Sequence, residues 1–244
     1  MRRGRPGRPI AVSGFPGLFR ACSLLAATGA AAFPTSAFAQ VALSVAADSD
    51  YRFRGASLSG ERPTAAAQVA YDHPSGLYFY ASGTGVKRRG HLALLNVQGN
   101  VGYARRLSSS VSVDAGLVHS RYQWGNLPNP SSNRTEAYVG VNVSHFAARL
   151  SYSPHYFEKG LAMIYGEVEA GFQPARNWRL SARAGRLTLL RAPGAADGTS
   201  RYDWRLSVSR QWGAFEIYSA LSGGGPDRGT HGATAVTAGA SLNF

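Results

Sequence analysis

The feature that most restricts the fold of this chain is a period-two alternation of apolar and polar residues. In segments 95–103, 135–144 and 236–244, every second residue is mostly aliphatic, aromatic or glycine, and the residues between are mostly polar or glycine. Such spacing places successive side chains on opposite faces of a strand, in two different environments. After Gln40, no apolar run approaches the roughly 18 residues that a transmembrane helix needs. Any crossing of a membrane must therefore use strands.

The first 39 residues have the composition of an export signal. An apolar run over 24–33 is followed by Ala37-Phe38-Ala39, which supplies the small residues of a signal-peptidase site. The run is preceded by basic residues, namely Arg2, Arg3, Arg5, Arg8 and Arg20. We predict a cleaved signal peptide over 1–39 and a mature protein over 40–244. Cleavage would remove Cys22, the only cysteine, and part of the formal charge of +13, so we expect no disulfide and no nucleic-acid partner.

The alternating segments and the turns between them predict about twelve strands. Short connections alternate with mostly longer ones rich in Gly, Pro, Asn and Asp, a pattern that is typical of outer-membrane barrels. An even number of strands places both ends of the barrel on the periplasmic side. We therefore predict an all-β, antiparallel up-and-down transmembrane barrel in the bacterial outer membrane; a soluble periplasmic β-sandwich is the alternative. The predicted strands are 41–55, 63–72, 76–86, 91–105, 110–122, 134–144, 147–154, 162–173, 177–189, 201–211, 214–222 and 233–244.

Charged residues of the predicted strands fall on one face, opposite the aliphatic residues. A sandwich would have to bury one of the two sets in its core, whereas a barrel turns the charges toward its lumen and the aliphatic residues toward lipid. Around the turn near Pro174, Glu167 would oppose Arg183 as a cross-strand pair of opposite sign. The predicted pore-lining residues are Asp114, Glu136, Arg149, Glu167, Glu169, Arg179, Arg183, Asp203, Arg205 and Glu216.

Aromatic residues are predicted to form a girdle at each membrane interface. The final strand ends on Phe244, through which we expect recognition by the barrel-assembly machinery. The predicted periplasmic girdle contains Tyr71, Tyr103, Phe172, Trp178, Trp212, Phe215 and Phe244. The predicted outer girdle contains Tyr51, Phe53, Trp124 and Tyr202.

Several segments, taken in order, resemble the TorF-type porins over essentially the whole mature chain. They are SDYRFRG from Ser49, AAAQVAYDHPSGLYFYAS from Ala65, TEAYVG from Thr135, LSYSP from Leu150 and DWRLSVS from Asp203. The chain departs from the family pattern at 80–84, where a G-x-W/G-S-N segment is usual, and at 91–94, which lacks an acidic residue. The resemblance implies an outer-membrane barrel that acts as a porin.

Sites for covalent chemistry are poorly supported by the sequence. Ser153 and His155 have the two-residue spacing of an outer-membrane lipid hydrolase, with Glu158 nearby, but Pro154 between them cannot donate to a strand ladder. The histidines show no paired metal-ligand spacing. We therefore predict a protein that is not an enzyme and that has no metal or cofactor.

The sequence favours a monomeric porin for small hydrophilic solutes, with weak anion preference at most. In the alternative, inward Tyr138, Tyr165 and Tyr218 plug the lumen, and the barrel is a non-conducting surface or adhesion module. The membrane lipids surround the barrel, and lipopolysaccharide phosphates are a candidate partner for the basic outer connections. The basic rim residues are Lys87, Arg88 and Arg89, with Arg54, Arg62, Arg134, Lys159, Arg191, Arg201 and Arg228 placed near the same rim.

Overall fold

The computed structural model describes residues 40–123, 132–191, 199–225 and 234–244. The predicted signal peptide, Trp124, Arg228 and most of three long outer connections lie outside these residues. None of the described residues belongs to a helix that is long and apolar enough to cross a membrane.

Twelve long antiparallel strands close into one barrel, as predicted. The first strand pairs with both the second long strand and the last, so the barrel has no free edge, and the sandwich alternative is wrong. The strands are β1 (Gln40–Asp48), β2 (Arg52–Phe53), β3 (Ala56–Ser57), β4 (Thr64–Asp72), β5 (Leu77–Arg88), β6 (His91–Arg106), β7 (Val111–Tyr122), β8 (Ser132–Val143), β9 (Phe146–Tyr156), β10 (Ala162–Phe172), β11 (Trp178–Arg191), β12 (Ser200–Trp212), β13 (Phe215–Gly225) and β14 (Ala235–Asn243).

The first strand is shorter than predicted, because the chain leaves the wall after Asp48. The short strands β2 and β3 pair only with each other, as a separate two-stranded sheet. Arg54 (φ 49°) and Gly55 (φ 78°) form the turn between them, with the positive φ values that a tight two-residue hairpin turn requires. We call residues 49–63 the inner hairpin. The remaining predicted strands each overlap one observed strand.

The outer face of the barrel is apolar. Val139 and Leu150 are paired on neighbouring strands and are 56% and 48% exposed. Similar exposure continues around the wall, for example at Leu117, Val168 and Ile217. In water this belt would be a very large apolar patch, whereas acyl chains cover such a surface at no cost. The belt and the closed edge together identify a transmembrane barrel.

The predicted periplasmic aromatics all have exposed side chains. The predicted outer girdle is partly wrong. Tyr202 is exposed, but Tyr51 and Phe53 belong to the inner hairpin and line a cavity inside the barrel. Their alternation with polar residues is that of a strand, which is why the sequence placed them on the wall.

Candidate functional site: the barrel lumen

The inner face of the wall is polar. The predicted pore-lining residues all project from this face, and each is either buried or lines a cavity of the lumen. Asp114, Glu136, Arg149, Asp203 and Glu216 are buried. Glu167, Glu169, Arg179, Arg183 and Arg205 line the central cavity.

The inner hairpin is tied together by hydrogen bonds around Asp50. The hydroxyls of Ser57 and Ser59 donate to one carboxylate oxygen of Asp50, at 2.6 Å and 2.7 Å. The Arg52 guanidinium donates to the other oxygen at 3.3 Å. The backbone N–H of Tyr51 donates to the Ser59 hydroxyl at 3.0 Å. The hairpin is therefore a preformed unit with its own polar core.

Arg54 at the tip of the hairpin holds it to the opposite wall. Its guanidinium donates to both carboxylate oxygens of Glu136 on β8, at 2.8 Å and 3.0 Å. It also lies 3.8 Å from the ring centre of Tyr165 on β10, in cation–π geometry. Arg134 approaches the same carboxylate at 3.4 Å. Glu136 thus receives two guanidinium groups, one from the wall and one from the hairpin.

The placement of Arg54 and Arg134 at the outer rim is wrong. Their side chains are 8% and 1% exposed and lie inside the barrel. The physical reason is the buried carboxylate of Glu136, which would be uncompensated without them. Burial lowers the pKa of Arg54, but Glu136 raises it further, so its pKa lies above the ordinary value and the guanidinium stays charged.

Aromatic side chains pack around the hairpin near the outer mouth. The ring of Phe53 lies under the Arg134 guanidinium at 4.1 Å and meets the edge of Phe157, from the β9–β10 connection, at 6.3 Å. Phe157 also contacts Tyr122 at 5.2 Å and Tyr156 at 4.7 Å. Burial, and secondarily Tyr122, raises the pKa of the Tyr51 phenol well above its usual value, so it stays neutral. The outer half of the lumen is therefore densely filled.

A second polar network lies on β5 to β9. Arg149 donates to Asp114 at 2.9 Å, and the Tyr78 hydroxyl donates to the same carboxylate oxygen at 3.2 Å. Tyr78 and Tyr138 share a hydrogen bond, and Tyr138 donates to the Asn100 side chain at 3.0 Å. The charge of Arg149 is therefore balanced by Asp114.

Four inward tyrosines lie against the wall, each over a glycine of the adjacent strand. A Cβ atom added at Gly116 or Gly185 would lie 2.5 Å or 2.1 Å from the hydroxyl oxygen of Tyr138 or Tyr165. The other such pairs are Gly102 with Tyr78 and Gly239 with Tyr218. A glycine leaves room for the ring beside it, and Tyr165 and Tyr218 also line the central cavity.

Arg183 is paired with Glu167, as predicted from the turn. The ion pair measures 3.3 Å, and Arg183 makes a second one with Asp203, also at 3.3 Å. The strand register differs from the predicted one, since Arg183 stands directly opposite Glu169 and reaches Glu167 diagonally. Asp203 also accepts a 2.9 Å hydrogen bond from Tyr165, under the hairpin tip.

Two cavities lined by described residues lie in the lumen below the hairpin. The central cavity has a volume of about 160 Å³ and is bounded by the hairpin, by β1 and β4 to β6, and by β10 to β14. The periplasmic vestibule has a volume of about 380 Å³ and is bounded by β10, β11 and the β8–β9 turn. Glu169 and Arg179 line both cavities, so the two meet at these side chains.

The basic rim residues lie together at one tight turn. Lys87, Arg88 and Arg89 end β5 and begin its connection to β6, and we call them the basic rim turn. Lys87 stands opposite the exposed Leu92, which belongs to the lipid-facing side. The turn therefore places cations directly above the apolar belt.

Ser153 and His155, the residues of the hypothetical hydrolase site, make no hydrogen bond to each other. The Ser153 hydroxyl is buried without a hydrogen-bond partner, and His155 accepts a 3.1 Å hydrogen bond from the backbone N–H of Gly160. Within the described part of the chain, no group of three His, Cys, Asp or Glu side chains could hold a metal ion.

Two solved structures with a similar fold are named porins. The structure of the "KdgM porin" matches with a TM-score of 0.52 and 10% identity, covering 83% of this chain and 99% of that one. The "NanC porin" matches with a TM-score of 0.54 and 12% identity, covering 83% and 98%. At such low identity the likeness establishes the fold.

A bacterial chain that closes an antiparallel barrel inside an apolar belt belongs in the outer membrane. The curated protein sequences contain no match. The family model described as "Bacterial protein of unknown function (Gcw_chp)" matches residues 31–222, most of the sequence. The chain is a member of the Gcw_chp family.

Proposed function

We propose that this protein is a narrow outer-membrane channel for passive diffusion of small hydrophilic solutes, constricted in its outer half by the inner hairpin. One observation carries the proposal: two cavities that share the charged lining residues Glu169 and Arg179 occupy the lumen beneath the hairpin. Ionised side chains facing an enclosed lumen are expected for a water-filled path. Membership of the TorF-type porins remains a prediction.

Ion selectivity is expected to be weak, with a slight anion preference at most. Several arginines of the lumen are engaged by carboxylates, for example Arg54 by Glu136 at 2.8 Å and Arg149 by Asp114 at 2.9 Å. A guanidinium that is neutralised in this way contributes little to the field along the path. A strongly anion-selective pore would need an excess of unpaired arginines.

A non-conducting, structural barrel is the second candidate, and the inner hairpin favours it. Tyr122, Arg134 and Glu136, near the outer mouth, are at most 2% exposed. If the hairpin never leaves this position, solutes have no route through the outer half. In this candidate the plug is the hairpin, and the tyrosines lie along the wall.

Planar-bilayer recording of the purified, folded barrel separates the two candidates. The channel proposal predicts unitary current steps, with a reversal potential in a salt gradient close to that of an unselective pore. A variant lacking residues 51–59 removes the hairpin and should conduct more than the wild type. If neither protein conducts, although heat-modifiable migration in gel electrophoresis shows that both are folded, the channel proposal is rejected and the structural barrel remains.

A further inference from the structure

Two charged side chains below the hairpin line both cavities of the lumen. The central cavity and the periplasmic vestibule share Glu169 on β10 and Arg179 on β11. Both side chains are half-buried, in contrast to the fully buried groups nearer the outer mouth. A solute that moves between the two cavities along their shared wall passes this carboxylate and this guanidinium, which we call the charged neck.

The two charges of the neck lie close enough to attract each other but make no direct polar contact with the described residues. Neither Glu169 nor Arg179 makes a hydrogen bond or an ion pair with any residue in the described ranges. Nearby charges behave differently: Arg183 stands opposite Glu169 in the register, but its guanidinium is bound by Glu167 and Asp203. The charges of the neck are therefore available to a solute.

The strand register explains why these two side chains are left without partners. The second neighbour of Glu169, on β9, is Ala147, which has no polar group to offer. Arg179 stands opposite Ser209 on β12, which carries no charge. The wall therefore holds a cation and an anion that attract each other, and Arg183 also attracts Glu169, but no direct contact with a described residue neutralises Glu169 or Arg179.

We propose that the charged neck selects zwitterionic solutes, which carry a carboxylate and an ammonium on one small molecule. This inference rests on the proposed channel function. A simple anion is attracted by Arg179 and repelled by Glu169. A simple cation is attracted by Glu169 and repelled by Arg179. A zwitterion can place each of its charges beside the opposite charge of the neck, and both contacts then favour its entry.

The size of the preference follows from Coulomb's law. Two unit charges about 4 Å apart in a water-like dielectric change an equilibrium by roughly fivefold, and by more in a narrower, less polar passage. A zwitterion that makes one favourable contact more than an anion should therefore permeate about fivefold faster.

The test uses four solutes of nearly equal size that differ only in charge. Proteoliposomes containing the full mature chain are assayed at neutral pH for uptake of alanine (zwitterion), lactate (anion), alaninamide (cation) and lactamide (neutral). The wild type should take up alanine fastest among the charged solutes. Equal rates for alanine, lactate and alaninamide would overturn the inference.

Single substitutions make the test specific to the neck. Glu169→Gln should move the reversal potential toward anions and raise lactate uptake relative to alanine. Arg179→Gln should move both in the opposite direction, and the double variant should remove the alanine advantage. Arg176→Gln, in the exposed β10–β11 turn, removes the same charge outside the lumen and should change neither quantity. If Glu169→Gln and Arg179→Gln behave like Arg176→Gln, the neck does not select.

The same assays in the variant lacking residues 51–59 keep the outcome interpretable. If the wild-type barrel is closed by its hairpin, the shortened protein still reports on the neck. Conductance without discrimination among the solutes would reject the charged neck and keep the channel. Absence of conductance in both proteins would reject the channel, and the neck with it.

Discussion

The anchoring of the inner hairpin by Arg54 yields the most direct test of the constriction. Arg54→Ala removes two hydrogen bonds to Glu136, of 2.8 Å and 3.0 Å, and the cation–π contact with Tyr165 at 3.8 Å. Removing one partner of a buried ion pair costs about 3–5 kcal/mol. Glu136 keeps Arg134 at 3.4 Å, so the low end of this range applies. A loss of about 3 kcal/mol lowers the ratio of docked to undocked hairpins by roughly 100-fold.

Two measurements follow the undocking. Planar-bilayer recording should show larger or more frequent openings in Arg54→Ala than in the wild type. A cysteine placed at Leu58, which is 6% exposed, should react faster with a membrane-impermeant maleimide. Labelling at this cysteine is unambiguous, because Cys22 lies in the predicted signal peptide and is the only cysteine of the chain.

A matched control separates the anchor from a general change of charge. Arg62→Ala removes an exposed arginine at the end of the hairpin that makes no hydrogen bond or ion pair with the described residues, and should behave as wild type. Arg54→Lys keeps the positive charge but loses the planar guanidinium that binds both carboxylate oxygens, so its conductance and labelling rate should lie between those of the wild type and of Arg54→Ala. If Arg54→Ala matches Arg62→Ala in both conductance and labelling, the ion pair does not hold the hairpin.

Three further perturbations test the wall and the rim. Gly185→Ala would place its Cβ 2.1 Å from the Tyr165 hydroxyl, so we expect the free energy of unfolding, measured in urea, to fall by about 1–3 kcal/mol. Gly99→Ala, which has open space around the added Cβ, should leave the free energy of unfolding unchanged. Val139→Arg puts a charge in the belt and should cost about 2–4 kcal/mol of folding free energy in a bilayer; a neutral result would mean that this face does not meet lipid. Replacing the basic rim turn by glutamines should weaken association with lipopolysaccharide vesicles and leave neutral vesicles unaffected; equal binding of both vesicle types by the wild type would contradict a lipopolysaccharide partner.

The barrel could be predicted because its two faces meet different solvents. Where lipid lies on one side of a strand and polar groups lie on the other, every second residue must be apolar, as in 135–144 and 236–244. The alternation therefore extends over the whole strand and can be recognised in the sequence. The pair Arg183–Glu167 was predictable for a related reason, since the tight turn at Pro174 brings β10 and β11 together with both side chains on one face, although the register differs from the predicted one by two residues.

The inner hairpin could not be predicted from the same pattern. Tyr51, Arg52, Phe53 and Arg54 also alternate with period two, so they continue the strand signal past Asp48. The chain leaves the wall because Arg54 contacts Glu136, which lies 82 positions away in sequence. The period-two spacing of neighbouring residues carries no information about such a distant pair. The one local signal was the pair Arg54-Gly55, where positive φ values close the turn.

The proposed barrier and the proposed selective element occupy different parts of the barrel, and this separation has an experimental consequence. The hairpin closes the outer half through Arg54, whereas Glu169 and Arg179 lie where the central cavity meets the periplasmic vestibule. Hairpin variants should therefore change the amplitude or frequency of openings and leave the reversal potential unchanged. Neck variants should shift the reversal potential with little change in opening frequency. If Arg54→Ala alters both quantities, the hairpin itself contributes to selectivity, and the division of the lumen into a barrier and a selective neck is wrong.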